Sequence, residues 1–315
     1  MGSDRAGALT GAALGPGAQL RALAAAMRPF QWPKNFIVFA ALLFSVGDAW
    51  TPRDPDTWQP LAGRAALLFA AWCLVASGMY LVNDLRDAPF DRYHPRKRLR
   101  PLAAGDLSPG LAALAAVVLT VAGIAAGFAA SWAAGAMLAG YAAGMLAYTF
   151  ALKAMPVLDV VVLSAGVVLR AAGGAVAVGV AISPWLYVCS AAGAWFLAVS
   201  KRWAEARALG EEAGNHRPAL AKYPPIVLDQ MLAVSAGSAL VSYALYSIES
   251  ANVPANGAMA LTVPFVAFAI FRYLYLLAGP RASDPPDRIL FTDPAIVGSV
   301  LGFVATAVTV LAIWG

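Results

Sequence analysis

Long apolar stretches separated by short polar loops dominate the chain. About 20 apolar residues are enough for a helix to cross the hydrocarbon core of a bilayer. Nine such stretches can be distinguished, of which the first is the weakest, at 35–50, 62–83, 109–129, 131–150, 157–178, 182–199, 229–248, 256–278 and 294–314. The pattern predicts an all-α polytopic membrane protein, a bundle of nine transmembrane helices around a polar cavity.

Composition supports this class. Hydrophobic residues make up 61% of the 315 and charged residues only 12%, with a mean hydropathy of +0.70; soluble domains contain about 25% charged residues. Residues 1–27 are rich in Gly and Ala and lack a compact apolar core after a basic start, so we expect a flexible N-terminal tail and no cleavable signal peptide. Residues 28–315 are then a single membrane domain.

Basic residues indicate the orientation. Of the 22 Lys and Arg residues, 19 fall on or near the loops of one side, against two on the other side, Arg53 and Arg64, and one inside a span, Arg170. Because Lys and Arg collect in cytoplasmic loops, we expect a bacterial plasma membrane protein with its N-terminus and polar cavity on the cytoplasmic side. The same rule accounts for the net charge of +5, so no nucleic acid partner is indicated; a homo-oligomer stays open.

An acidic motif at the end of the second stretch is the strongest chemical signal. Asn83, Asp84, Asp87 and Asp91 lie in one run, and the spacing of the three carboxylates places them on one face of a helix. Carboxylate oxygens suit Mg²⁺, which usually keeps several waters and shares its remaining sites with phosphate oxygens. We predict a magnesium site for phosphate chemistry here, on a helix that ends or kinks at Pro89.

Two further polar groups lie in or beside apolar stretches. Asp159 and Arg170 are eleven residues apart in the fifth stretch, about 16 Å along a helix, so they do not pair directly. Asp159 is expected to face the polar cavity, and Arg170 either reaches that cavity or binds helix carbonyls. After the sixth stretch, Lys201 and Arg202 can hold an anion, while Glu205 is positioned to pair with Lys201.

The motif around Asp84, Asp87 and Asp91 resembles the first aspartate-rich motif of the UbiA superfamily of intramembrane prenyltransferases. Nine spans fit that fold. Four stretches are more similar to the branch that acts on decaprenyl phosphate in mycobacteria and their relatives: 28–35, 83–105, 152–159 with Arg170, and 201–205 with Arg217 and Tyr223. The resemblance implies transfer of a 5-phosphoribosyl group from phosphoribosyl diphosphate to a polyprenyl phosphate, with release of diphosphate, for arabinose-donor and cell-wall arabinan synthesis.

The resemblance also implies roles for individual residues in two active-site loops, at about 84–108 and 200–228. Asp84, Asp87 and Asp91 would hold Mg²⁺ and serve the reaction. The implied substrate-binding residues are Lys34, Asn35, Asn83, Arg98, Arg100, Lys153, Asp159, Arg170, Lys201, Arg202, Arg217, Lys222 and Tyr223. Where ordinary members of the superfamily have a second aspartate-rich motif, this chain has Lys201, Arg202 and a single Glu205.

Two alternatives remain at this stage. A prenyltransferase that moves an isoprenoid from a prenyl diphosphate to an aromatic acceptor would need a second carboxylate pair, which the sequence does not supply in the expected loop. A transporter or a non-catalytic lipid-binding protein would also contain helices rich in small residues and buried charges, but it gives no reason for three carboxylates in a metal-binding pattern.

Overall fold

The computed structural model is all-helical over the residues it describes, apart from an isolated bridge between Val46 and Trp50. It describes residues 15–43, 45–46, 49–93, 97–180, 184–209, 219–251, 253–279, 281–282, 284 and 286–314. The α-helices are α1 (Pro16–Ala26), α2 (Ala40–Leu43), α3 (Pro55–Asp91), α4 (Pro101–Ala104), α5 (Pro109–Ala130), α6 (Trp132–Phe150), α7 (Leu158–Val178), α8 (Pro184–Leu209), α9 (Pro225–Glu249), α10 (Val263–Ala278), α11 (Pro286–Thr292) and α12 (Pro294–Trp314). Five 3₁₀ segments accompany them: Pro29–Phe39, Lys97–Leu99, Leu152–Ala154, Leu220–Lys222 and Ala258–Thr262.

Seven of the nine predicted spans are found as long apolar helices among the described residues. Among the described residues, seven helices are long and apolar enough to cross a bilayer: α3, α5, α6, α7, α9, α12, and α10 together with the 3₁₀ turn that precedes it. Residues 184–199 of the predicted stretch 182–199 lie in α8, a long helix whose last third carries Lys201, Arg202, Glu205 and Arg207. The chain is a multi-pass membrane protein, and the count of nine spans is not reproduced.

The first predicted span, 35–50, is not one long α-helix. A 3₁₀ helix runs from Pro29 to Phe39 and leads into the four-residue α2. Pro33 inside the 3₁₀ helix lacks the backbone N–H that an α-helix requires at that position. The segment packs against α3 and α7, with Asn35 and Val38 buried in the bundle.

Helix α3 carries the acidic motif out of the apolar zone. It has 37 residues, about 55 Å at 1.5 Å per residue, whereas the hydrocarbon core is about 30 Å thick. The helix includes Pro89 and ends at Asp91, two residues beyond the predicted end, which is within the usual uncertainty of a helix boundary. Asp84, Asp87 and Asp91 therefore occupy its last two turns.

Helix α7 joins two parts of the core. Near its start, Val160 belongs to a cluster with Phe196, Tyr273 and further side chains of α8, α9 and α10. Near its end, Ala177 belongs to a second cluster built mainly on α3 and α6, which contains Trp72. The two charged residues of α7, Asp159 and Arg170, consequently lie in different surroundings.

Part of the predicted N-terminal tail is helical. Helix α1 covers Pro16–Ala26 and packs against α4 and α3. Ala26 is buried in a cluster with Leu102 and Leu107, and the backbone N–H of Ser108 donates to Oε1 of Gln19 at 3.0 Å. Residues 1–14 lie outside the described part of the chain, and the proposed flexibility of the tail stays a prediction.

The close contact between α7 and the first 3₁₀ helix depends on Gly174. A Cβ atom at this position would overlap the carbonyl oxygen of Val38, whereas a Cβ at Gly193 in α8 would meet nothing within 4 Å. We expect Gly174→Ala to lower the free energy of unfolding by about 1–3 kcal/mol, because the backbones must move apart. Thermal unfolding in detergent checks this, with Gly193→Ala as the control; equal stability of the two variants would contradict the packing argument.

Candidate active site

The three carboxylates at the end of α3 form a row that is largely shielded from solvent. Asp84 and Asp91 are only 2% and 5% exposed, and the side chain of Asp87 is 25% exposed. Burying an ionised carboxylate is costly unless it is paired. The row therefore requires positive charge nearby.

Arg28, Arg100 and Lys153 supply positive charge to the row. Asp84 Oδ1 accepts from Arg28 at 2.5 Å and from Arg100 at 3.2 Å. Arg100 also donates to Oδ2 of Asp91 at 2.7 Å, and Nζ of Lys153 lies 2.5 Å from Oδ1 of Asp87. Arg100 and Lys153, two of the predicted binding residues, thus reach the acidic motif from separate loops.

Arg28 also belongs to this site. It is not among the predicted site residues, although its segment, 28–35, is one of the stretches that resemble the family. Its backbone is left-handed, with φ 56°, and its guanidinium also stacks on the ring of Tyr80, 4.9 Å from the centroid. Hydrogen bonds fix the chain on either side: Ser77 Oγ donates to the carbonyl of Met27 and accepts from Trp32 Nε1. No helical periodicity connects Arg28 to Asp84, so sequence spacing gives no signal for this pair.

The residues of the row fit Mg²⁺ by the chemistry of their donors. Asp84, Asp87 and Asp91 present hard oxygen atoms at the end of one helix. Within the described residues, no three His, Cys, Asp or Glu side chains are grouped closely enough to hold a metal ion. Side-chain rearrangement would be needed for all three to bind one ion.

A second polar cluster is buried between α7, α8 and the loop before α9. Asp159, which is 0% exposed, accepts from Nε of Arg202 at 2.5 Å and from the hydroxyl of Tyr223 at 2.9 Å. Arg202 also donates to Glu205 at 2.8 Å and to the hydroxyl of Tyr148 at 3.2 Å. The buried charge of Arg202 thus has carboxylate partners on two sides, and the pairing of Glu205 with Lys201 stays a prediction.

Arg170 occupies a third buried cluster. Its Nε donates to Oδ1 of Asn35 at 2.7 Å, and its two terminal nitrogens donate to the carbonyl of Gly166 and the hydroxyl of Tyr141, both at 2.9 Å. The guanidinium also lies over the rings of Tyr141 and Trp72. Of the two roles left open for Arg170, binding of a helix carbonyl is therefore observed. The sequence argument that Asp159 and Arg170 do not pair is consistent with their separate partners.

The remaining predicted residues are more accessible. Lys34, Arg98, Lys201 and Lys222 are exposed and Asn83 is half-buried. Lys222 donates to the carbonyl of Ala154 at 3.3 Å. Arg217 lies outside the described residues, as do His94 and His216.

An apolar groove of about 520 Å³ lies between α8 and α9. Trp195 and Val199 line it on α8, and Val227, Met231 and Val234 line it on α9. Val199 is three residues from Arg202, and Val227 is four residues from Tyr223. One end of the groove therefore lies within about a turn of helix of the second polar cluster.

The pair of Asp159 and Arg202 should be essential for stability. Removing one partner of a buried ion pair leaves an uncompensated charge and typically costs about 3–5 kcal/mol, so we expect Arg202→Gln to be strongly destabilising. Arg207→Gln on the same helix is the control: its partner is Asp229 at 3.4 Å and its side chain is 61% exposed, so the expected loss is below about 1 kcal/mol. Similar unfolding temperatures for the two variants would contradict the assignment of a buried pair.

Comparison with known proteins agrees with this architecture. Solved UbiA homologues from Archaeoglobus fulgidus, bound to DMAPP and Mg²⁺, and from Aeropyrum pernix align with TM-scores of 0.64 and 0.66. The first covers 92% of this chain and 99% of that homologue at 20% identity, the second 89% and 98% at 18%. At these identities the likeness concerns the fold.

Similarity at the sequence level is greater for another group. The decaprenyl-phosphate phosphoribosyltransferase of Corynebacterium glutamicum is 35% identical over 89% of this chain and 83% of that enzyme, and that of Mycolicibacterium smegmatis is 34% identical over 89% of each. The model of the UbiA prenyltransferase family matches residues 37–293. The chain therefore belongs to the UbiA prenyltransferase family.

Proposed function

We propose that this chain transfers the 5-phosphoribosyl group of phosphoribosyl diphosphate to decaprenyl phosphate or a similar polyprenyl phosphate, releasing diphosphate. The observation that carries the proposal is the identity of 34–35% to decaprenyl-phosphate phosphoribosyltransferases over 89% of the chain. The row of three carboxylates with interleaved cations suits a diphosphate leaving group. A place in arabinose-donor and cell-wall arabinan synthesis is part of the same proposal.

The donor would bind at the end of α3. Asp84, Asp87 and Asp91 would hold Mg²⁺, which when bound would help to neutralise the diphosphate. Arg100 and Lys153 contact these carboxylates and would turn to phosphate oxygens in the complex, as would Arg28. Asn83, Lys34 and Arg98 lie on adjoining segments and would complete the donor site.

The acceptor phosphate would be held by the second active-site loop, at about 200–228. Lys201 and Lys222 are exposed and, together with Arg217, would bind the acceptor phosphate. Arg202, Asp159 and Tyr223 would support this loop from inside the bundle. Asn35 and Arg170 are bound to each other inside the bundle and would act by fixing the first 3₁₀ helix. The groove between α8 and α9 would accept part of the isoprenoid chain, because its lining is largely apolar.

The reaction would be a substitution at C1 of the ribose. The bond from C1 to the diphosphate oxygen breaks, positive charge develops on the ring, and an oxygen of the lipid phosphate forms the new bond to C1. The cations around α3 stabilise the departing diphosphate, the kind of preorganised electrostatic contribution that is usually largest in such reactions. The lipid phosphate is already ionised, so no strong general base is required.

We expect Asp84→Asn, Asp87→Asn and Asp91→Asn each to reduce phosphoribosyl transfer about 100-fold or more, because each removes a charged oxygen donor from the leaving-group site. The measurement uses purified protein in detergent with Mg²⁺, radiolabelled phosphoribosyl diphosphate and decaprenyl phosphate. Label extracted into organic solvent reports transfer. Removal of the metal with EDTA should abolish it.

The control is Asp56→Asn, in the first turn of α3 at the opposite end of the helix and exposed to solvent; it should retain wild-type transfer. Full activity in Asp84→Asn would refute the role of the carboxylates. Absence of lipid label in the wild type, with transfer of an isoprenoid to an aromatic acceptor instead, would replace the proposed function by the ordinary prenyltransferase reaction. Failure of both reactions would favour a non-catalytic role.

The proposed orientation places the ends of α3 and α8 that carry these residues in the cytoplasm of a bacterial plasma membrane, with the N-terminus inside. We expect Arg98→Cys and Lys222→Cys to react with a membrane-impermeant maleimide only after cells are opened, and Arg53→Cys to react in intact cells. Native Cys73 is buried, and a Cys189→Ser background lowers the remaining signal. Labelling of Arg98→Cys in intact cells would reverse the proposed topology.

A further inference from the structure

The turn that precedes α7 has an unfavourable backbone conformation. Val157 has φ 68° and ψ −49°, and the backbone N–H of Leu158 donates to the carbonyl of Pro156 at 2.8 Å. These values describe a γ-turn of the rare, strained form. A β-branched residue with positive φ is a genuine outlier, so this turn forms only if its surroundings hold it in place.

Tyr223 is the group that holds this turn. The backbone N–H of Val157 donates to the hydroxyl of Tyr223 at 2.5 Å, and the same hydroxyl donates to Asp159 at 2.9 Å. Burial raises the pKa of Tyr223 to about 12, so the hydroxyl keeps its proton at neutral pH and can make both bonds. Arg202, on the other oxygen of Asp159, fixes the carboxylate from α8.

The same turn ends the loop that delivers Lys153 to the carboxylate row. The loop runs from Ala151 to Val157, and Lys153 contacts Asp87 at 2.5 Å. Lys222, the residue before Tyr223, binds the carbonyl of Ala154 in this loop. The position of Lys153 is therefore tied to the loop 219–223 through two neighbouring residues.

The strained backbone positions lie in segments that carry a cation of the carboxylate row. In the described part of the chain, the non-glycine residues with positive φ are Arg28 and Val157. Arg28 itself binds Asp84, and Val157 ends the segment whose Lys153 binds Asp87. Backbone strain of this kind clusters at functional sites, where it is maintained by surrounding contacts.

We propose that Tyr223 is a positioning residue: its hydroxyl locks the strained Val157 turn and thereby places Lys153 at the donor site. Tyr223 then acts through the backbone of the neighbouring loop and does not touch substrate. The catalytic consequence of this inference rests on the proposed function. Its structural part, the support of the loop 151–157 by Tyr223, does not. Under this proposal, the loop 219–223 helps to determine the structure of the donor site at the end of α3.

The test first removes the hydroxyl of Tyr223 and then replaces Val157, the residue whose backbone is strained. Tyr223→Phe should raise the KM for phosphoribosyl diphosphate about tenfold and leave kcat within about threefold, because Lys153 is no longer held in position. Adding Val157→Gly should restore the KM, since glycine adopts positive φ without support. The side chain of Val157 is 45% exposed, so its removal opens no core cavity.

Matched controls separate this rescue from other effects. Tyr223→Phe with Val157→Ala should stay impaired, because alanine keeps the Cβ atom that disfavours positive φ. Val157→Gly alone should resemble the wild type, as should Tyr275→Phe, which removes a hydroxyl from an exposed tyrosine of α10. If glycine fails to rescue Tyr223→Phe, Tyr223 contacts substrate directly or acts through general packing, and the proposal is wrong.

Hydrogen exchange gives a second readout that does not depend on activity. Peptides covering 151–158 should exchange about tenfold faster in Tyr223→Phe and return toward the wild-type rate when Val157→Gly is added. Unchanged exchange in Tyr223→Phe would overturn the inference whatever the enzyme does. If exchange follows the expected pattern but the wild type does not transfer phosphoribosyl, the locked turn is retained and the proposed function is rejected.

Discussion

Neutralisation of carboxylates within an apolar bundle is the constraint on which the rest of the structure depends. Asp84, Asp91 and Asp159 are each at most 5% exposed, and an unpaired buried charge would destabilise the fold. Their partners come from distant parts of the sequence: Arg28 precedes Asp84 by 56 residues, and Arg202 follows Asp159 by 43. Each pairing therefore fixes the position of one segment against another.

The same constraint explains how the site can be both stable and open to ligands. In the structure, Arg28, Arg100 and Lys153 pair with the carboxylates of the row. Under the proposed function, a donor that brings Mg²⁺ and a diphosphate together would offer new partners to both sets of charges. Binding can then exchange one arrangement of pairs for another without leaving a charge unpaired, which is how we interpret the contacts of Arg100 and Lys153.

The second polar cluster has a different character. Arg202 is 1% exposed and is surrounded by Asp159, Glu205 and Tyr148, so it supports the fold and is not presented to a substrate in this structure. Its neighbour Lys201 is exposed. Two adjacent basic residues that look equivalent in the sequence thus lie in different surroundings, because successive residues of a helix point in directions about 100° apart.

Sequence reasoning identified the acidic row correctly as a helix face, since residues spaced by three and four share a side of a helix. It also separated Asp159 from Arg170 on the basis of helical rise. It counted nine long spans, of which seven are found as long apolar helices among the described residues. The first counted span contains a 3₁₀ segment with Pro33, which hydropathy does not distinguish from an α-helix. Sequence reasoning did not include Arg28 among the site residues, because a left-handed backbone leaves no periodic signal, and its assignment of Tyr223 to a phosphate stays a prediction.

The sequence by itself determined the membrane class, the positions of most helices and the face on which three carboxylates stand. These properties depend on hydropathy and helical periodicity, which are local. Only the tertiary structure decided which cation meets which carboxylate, which basic residues remain accessible, and that a strained turn at Val157 is held by Tyr223. Those properties depend on where helices and loops far apart in the chain come into contact, and the free energy of pairing buried charges selects the arrangement in which each one has a partner.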